Sequence, residues 1–173
     1  MACVLTTGYA LGCRSQAGVQ QVYIGLWNGT AMGYIYSDAP TNMTIGTFSG
    51  TTVSFHTFQQ TTETANFTSA AEINNENNAI QYAQTLEITL TGMTPTLANQ
   101  IKILGQGVWR IIILDKQGNY WLMGANGPVQ VSASAAGLGK AGTDLNGSTL
   151  TFTSKETAPL MGVDAIAALT LIV

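Results

Sequence analysis

The chain has 173 residues, six of them basic and nine acidic, for a net charge of −3. That length suits one domain with a real core, and a charged fraction of 9%, against roughly 25% in an ordinary soluble domain, points to a surface largely buried in an assembly. Nucleic-acid binding is disfavoured, because no Lys or Arg occurs between Arg14 and Lys102 while Asp38, Glu63, Glu72, Glu76 and Glu87 all lie there, and phosphate affinity comes mostly from basic side chains.

Taken in order, residues 1–14 read as an arm or a single hairpin with Gly8 and Gly12 at turns. The first residues lack the basic start and long apolar run of a secretion signal. No later window approaches the roughly 20 apolar residues that cross a bilayer. Cys3 and Cys13 are too few for a disulfide framework; they are expected as free thiols in a reducing cytoplasm, although a hairpin can bring them together. Val19 to Trp27 alternates Val22, Ile24 and Leu26 with Tyr23, Gly25 and Trp27, the period of a strand. Asn28-Gly29 is a favoured hairpin turn, and Ala31 to Tyr36 returns from it.

From Pro40 to Asn78 Thr and Asn dominate and large aliphatics are scarce. Residues 51–90 read as two or three long antiparallel strands projecting from the core, with Asn74 to Asn78 as a polar tip. Their small, polar faces suit contact with neighbouring subunits or a water-filled space. In the last of these strands, Ala79 to Thr91, Leu86, Ile88 and Leu90 alternate with Thr85, Glu87 and Thr89, so one face is apolar.

Residues 94–104 read as a short helix. Thr94 is the candidate N-cap, Pro95 takes the first helical position, and Leu97, Ala98, Ile101 and Leu104 share one face. Gly105 is the candidate left-handed stop. Val108 to Leu114 is a strand so apolar that it is expected to be covered on both sides. Asp115 to Asn119 is a turn, and Tyr120 to Met123 pairs back. Val129 to Ala135 and Ser148 to Ser154 are further strands, and the tail from Val163 reads as a last edge strand. With no repeat or linker, residues 1–173 form one mainly β domain with one short flanking helix.

Nothing here points to catalysis. His56 is the lone histidine, in a Thr-rich strand with no acid nearby in sequence, so a triad needs a remote carboxylate and a surface or interface histidine is the simpler reading. Cys3, Cys13 and His56 lack zinc-site spacing. The acids are scattered singly, and Gly137-Leu138-Gly139 lacks the context of a nucleotide loop. No catalytic residue, cofactor or metal is therefore expected. Trp27, Tyr34 and Tyr36 flank a hairpin and admit a sugar-stacking platform, but core or subunit-contact aromatics are the simpler reading.

Several segments carry a resemblance: Met1 to Gly8, Val22-Tyr23-Ile24, Leu86 to Leu90, Leu97 to Lys102, Trp109 to Ile113 with Asp115 to Gly124, and Asp144 to Thr153. In element order they resemble a family of tailed-bacteriophage virion proteins, most similar to tail tube proteins. The resemblance implies an antiparallel β-sandwich or half-barrel with one flanking helix and a long projecting hairpin. It implies that six copies join their sheets into rings and that the rings stack into a hollow tube in the virion tail, after assembly in the host cytoplasm. The hairpin would complete the contact between rings. Partners would be further copies of the chain and other phage tail or capsid proteins, and viral DNA would pass through the channel without specific binding. Residues expected at subunit contacts or the lumen are His56, Glu63, Glu72, Asn74, Glu76, Asn78 and Glu87. A tail terminator, a connector ring and a capsid decoration protein are readings within the same class. A carbohydrate-binding β-sandwich is the reading from outside it, and an enzyme stands further off.

Overall fold

A computed structural model describes residues 16–27, 33–36, 43–49, 53–61, 63–169 and 171–173, with backbone alone for residues 33–36, 49, 166 and 169. The expectations for Cys3 and Cys13, the N-terminal arm, the Asn28-Gly29 turn and the side chains of Tyr34 and Tyr36 lie outside what is described.

Eleven strands and two helices make up the described chain: β1 Val19–Leu26, β2 Gly33–Tyr36, β3 Thr44–Ser49, β4 Phe55–Gln59, β5 Ala65–Asn74, β6 Ala79–Thr91, α1 Pro95–Gln106, β7 Trp109–Asp115, β8 Tyr120–Met123, β9 Gln130–Gly137, β10 Gly147–Glu156, β11 Met161–Val163 and α2 Ala165–Leu169. The strands form two sheets. The larger has seven in the order β2-β3-β11-β8-β7-β1-β4, and the smaller has four in the order β5-β6-β10-β9. They pack as an open, mainly antiparallel sandwich; among the described residues β3 pairs in parallel with β11, and Ile172 makes an isolated parallel bridge to Phe55.

The main core lies between the sheets. Val22, Ile24, Ile111 and Ile113 from the large sheet meet Leu86, Ile88, Leu150 and Phe152 from the small one. A second core covers the opposite face of the large sheet, where Tyr23, Ile112 and Leu122 pack against Ile45, Phe55 and the α2 alanines. β7 is thus covered on both sides, as its largely apolar sequence predicts. Gly25 on β1 has a packing reason: a Cβ there would lie 3.0 Å from Val53 Cγ1 and 3.1 Å from Phe55 Cδ1.

The helix starts where the caps predict, with the Thr94 hydroxyl accepting from Leu97 N at 3.1 Å and Pro95 next. It does not stop at Gly105. It runs to Gln106, and Gly107 caps it in an extended conformation, φ −96°. The reason is the next strand: Trp109 folds back to donate from its indole Nε1 to Leu104 O at 2.7 Å, and its ring fills the space that a side chain at 107 would need. Leu104 is the helix residue fully inserted in the core, with Leu97 and Ile101 packed at its margin.

Three segments depart from the linear reading. The 51–90 region is divided, since β4 joins the large sheet beside β1, with Phe55 opposite Gly25 and Phe58 opposite Val22, and only β5 and β6 form the long hairpin. Phe55 and Phe58 are aromatic anchors that the two cores recruit, and this outweighs continuity with the Thr-rich strand that follows. The tail from Val163 is only in its last residues an edge pairing, where Ile172 bridges Phe55 of β4 in parallel, with Phe55 N donating to Leu171 O and Val173 N to Phe55 O, both at 2.9 Å. β11 is interior, between β3 and β8, and α2 follows, closing the second core with Ala167 and Ala168. β3 itself is a strand that the Thr-rich sequence does not announce.

Candidate functional site

The smaller sheet carries the features that need an explanation. In β6 and β10 every second side chain faces the core: Leu86, Ile88 and Leu90 on one, Leu150, Phe152 and Ser154 on the other. Their neighbours form the opposite face. There Thr153 pairs with Thr85, Thr151 with Glu87 and Thr149 with Thr89, while Thr68 sits beside Thr85 and Asn66 beside Glu87 on β5. This face is a lattice of short hydroxyl and amide side chains, and Glu87 is exposed upon it. Its described charges are Glu72, Glu87 and Lys155, with Lys155 Nζ 3.9 Å from Glu72. The face is therefore not free of bases, because β10 contributes Lys155 from outside the base-free segment.

Both edges of this sheet are long and nearly uncharged. β5 offers ten residues with one charge, Glu72, and β9 offers eight with none. Exposed edges of water-soluble monomers are usually short, bulged, charged or covered, because unpaired N–H and C=O groups invite another strand. β9 has one register irregularity, between its pairings to Thr151 and Phe152, and β5 has none along its pairing to β6.

The β5–β6 hairpin reaches past the rest of the sheet. The last β10 pairing is Glu156 with Tyr82, and three further pairs follow on the hairpin alone, Glu72–Gln81, Ile73–Ile80 and Asn74–Ala79. Asn74 Oδ1 accepts from Glu76 N at 2.9 Å and Asn77 N at 3.2 Å, and Asn78 takes a left-handed φ of 48°, a conformation Asn tolerates better than most residues. The Gln81 amide donates to Glu72. The asparagines read as a polar tip thus build the turn itself.

Glu72, Asn74, Glu76 and Asn78 cluster at this tip. Glu87 shares the exposed face of the sheet but lies farther down β6. Glu63 lies just before β5, at the opposite end from the tip, in a turn with φ 63°. His56 is exposed on β4, in the other sheet. The seven expected residues therefore do not form one site. Among the described residues no group of three or more His, Cys, Asp or Glu is placed to hold a metal ion, and no helix is long and apolar enough to cross a membrane.

A buried polar cluster anchors the hairpin end of the sandwich and was not singled out by the sequence. Arg110 on β7 is fully buried, donates from Nε to Gly124 O at 2.9 Å and lies 4.4 Å over the Trp27 ring. Burial lowers its pKa to about 10, and nearby Glu156 offsets part of that fall. Glu156 accepts from Ser154 Oγ, Asn126 N and Gly127 N at 3.1, 3.1 and 3.4 Å. One face of Trp27 is thereby occupied by a guanidinium, which weakens the case for a sugar platform there.

Comparison with protein-family models finds none that matches this chain, and comparison with curated proteins finds no match either.

Proposed function

We propose that this protein is a structural subunit that assembles with itself into rings and stacks of rings, as the phage tail-tube resemblance implies, forming a conduit through which viral DNA passes during ejection. The observation that carries the reading is the pair of long, nearly uncharged edges of the small sheet, which no strand among the described residues pairs. With four strands, each antiparallel to its neighbour, β5 and β9 run in opposite directions. Copies related by rotation about one axis then bring β9 of one against β5 of the next as an antiparallel pair. An even-stranded sheet continues its own alternation around a closed ring, satisfying both edges and leaving none.

The Thr-rich face fits a channel wall along which DNA slides. Two carboxylates and one ammonium leave it slightly acidic, with little to grip a phosphate backbone. The open surface of this sheet also supplies the use that the low charge density calls for.

The test is negative-stain electron microscopy of the purified protein over a concentration series, with Ala133→Lys on β9 alongside. Tubes from the unaltered chain and monomers from the edge variant, at equal melting temperature, support the reading. Rings that never stack favour a tail terminator or connector. A monomer at every concentration overturns the reading and leaves a decoration protein or sugar-binding module to be examined by glycan screening.

A further inference from the structure

We propose that the hairpin tip of one copy seats on the loop of residues 138–146 of the next, so that this loop is the receiving half of the axial contact. The proposal rests on the assembly reading above and assigns it a pair of surfaces.

The two surfaces lie at opposite ends of one sheet. β6 has 13 residues, about 40 Å of strand. At one end is the tip. At the other, Thr91 pairs with Gly147 and Gly147 with Gly137, which places the 138–146 loop there. Each end exposes a pair of large aliphatic side chains. Ile73 and Ile80 face each other across the hairpin and are 65% and 51% exposed. They lie on the face that carries Phe67 and Leu86 farther down, but beyond the reach of β10. Leu138 and Leu145 bracket the loop and are 74% and 48% exposed.

Neither surface needs ordering before it binds. The tip is tied by Asn74. The loop is tied by Asp144, whose Oδ2 accepts from Lys140 N at 2.8 Å and Ala141 N at 2.7 Å and whose own N–H donates to Ala141 O at 3.0 Å. Gly139, at φ +72°, lets the chain pass so close that a Cβ would lie 2.9 Å from Asp144 Cβ. Asn146 then pins the loop to the helix approach, its carbonyl accepting from Gly92 N at 2.7 Å and its Oδ1 from Met93 N at 3.3 Å. Preformed apolar surfaces avoid the ordering cost that weakens flexible contacts.

A second copy of the chain is the occupant that accounts for both patches at once. The surfaces differ, so their contact is heterologous and repeats along an axis without closing. A single seat is small beside a stable interface. Repeated around a ring it acts multivalently, so rings precede stacks.

The test uses the full chain in two variants, Ile73→Lys with Ile80→Lys, and Leu138→Glu with Leu145→Glu. Each alone is expected to melt as the unaltered protein does, to form rings, and to need at least tenfold more protein to form tubes. Mixed in equal amounts they are expected to form tubes again, because a Lys tip then meets a Glu loop and the native tip meets the native loop. Normal tubes from the Leu138→Glu, Leu145→Glu variant overturn this inference and leave the assembly reading standing. Defects in both variants without rescue on mixing show that tip and loop do not meet, and overturn it likewise. An unaltered protein that forms neither ring nor tube overturns the assembly reading and this inference with it.

Discussion

In the large sheet Ile111, Ile112 and Ile113 are all buried, whereas in the small sheet burial falls on every second residue: Leu86 and Ile88 are inside and Glu87 between them is exposed. The large sheet buries side chains on both faces, against the small sheet on one side and, on the other, in a second core that joins its own Ile45 and Phe55 with the α2 alanines. Among the described residues the small sheet is covered on one face and open on the other, with no strand paired to either edge. The large sheet thus lies between two cores, while the small sheet borders one and exposes its other face. If the chain assembles as proposed, the large sheet is the layer whose folding needs no neighbouring copy.

The sharpest way to break this contrast is to place a charge in each layer. Ile112→Asp puts an unpaired carboxylate between two apolar surfaces, a cost that competes with the whole stability of ~5–15 kcal/mol. No cooperative melting transition is expected by circular dichroism. Thr151→Lys on the open face, beside Glu87, is expected to change stability by less than about 0.5 kcal/mol. Equal damage from the two would mean that the open face is covered in the monomer.

The charge cluster joining the layers gives the next largest effect. Arg110→Met leaves Glu156 buried without its positive neighbour and is expected to cost about 3–5 kcal/mol in chemical denaturation. Adding Glu156→Gln should recover part of that loss, and a strictly additive double mutant would show that the two groups do not act on each other.

The helix separates the layers on a finer scale. Leu104→Ala, which opens a cavity in the shared core, is expected to cost about 3 kcal/mol. Ile103→Ala, on the 49%-exposed face, is expected to fall within about 0.5 kcal/mol of the unaltered chain. Ile101 lies at the core margin, so Ile101→Asp is milder than its central place in the helical pattern suggests.

The smallest effect concerns two turns. Burial pushes the Asp115 carboxyl up, but hydrogen bonds from the Trp121 indole, Asn119 and the Gln117 backbone outweigh it and hold the group below the usual carboxylate range. The Asp144 carboxyl is lowered by the backbone N–H groups of Ala141 and Lys140. A carboxyl with a depressed folded-state pKa contributes stability that is complete above the unfolded value, ~3.9, and is lost as pH falls through the folded one. Asp115→Ala is therefore expected to lower stability by about 2 kcal/mol at pH 7, a difference that shrinks at pH values below the folded pKa. Asp144→Ala is expected to leave the melting curve almost unmoved and to act on the loop alone. A pH-independent cost for Asp115→Ala would place its role in packing instead of charge.

Much of this was written in the sequence. The alternation of Leu86, Ile88 and Leu90, the Thr94-Pro95 start of the helix, the Asp115 to Asn119 turn and the apolar run of β7 depend on neighbours a few residues away, so local pattern sufficed to place them. The asparagine tip was legible for the same reason. What pairs with what was decided only in three dimensions. The alternating segment that holds Phe55 fits either sheet, and its departure from the hairpin is settled by aromatic contacts with cores assembled from distant strands. A three-residue β11 has too little sequence to declare a period, and it exists because β3 and β8 flank it. The burial of Arg110 depends on Trp27 and Glu156, which the chain keeps far apart until it folds, and which strands stand at the edges of the small sheet appears only once strand order is known.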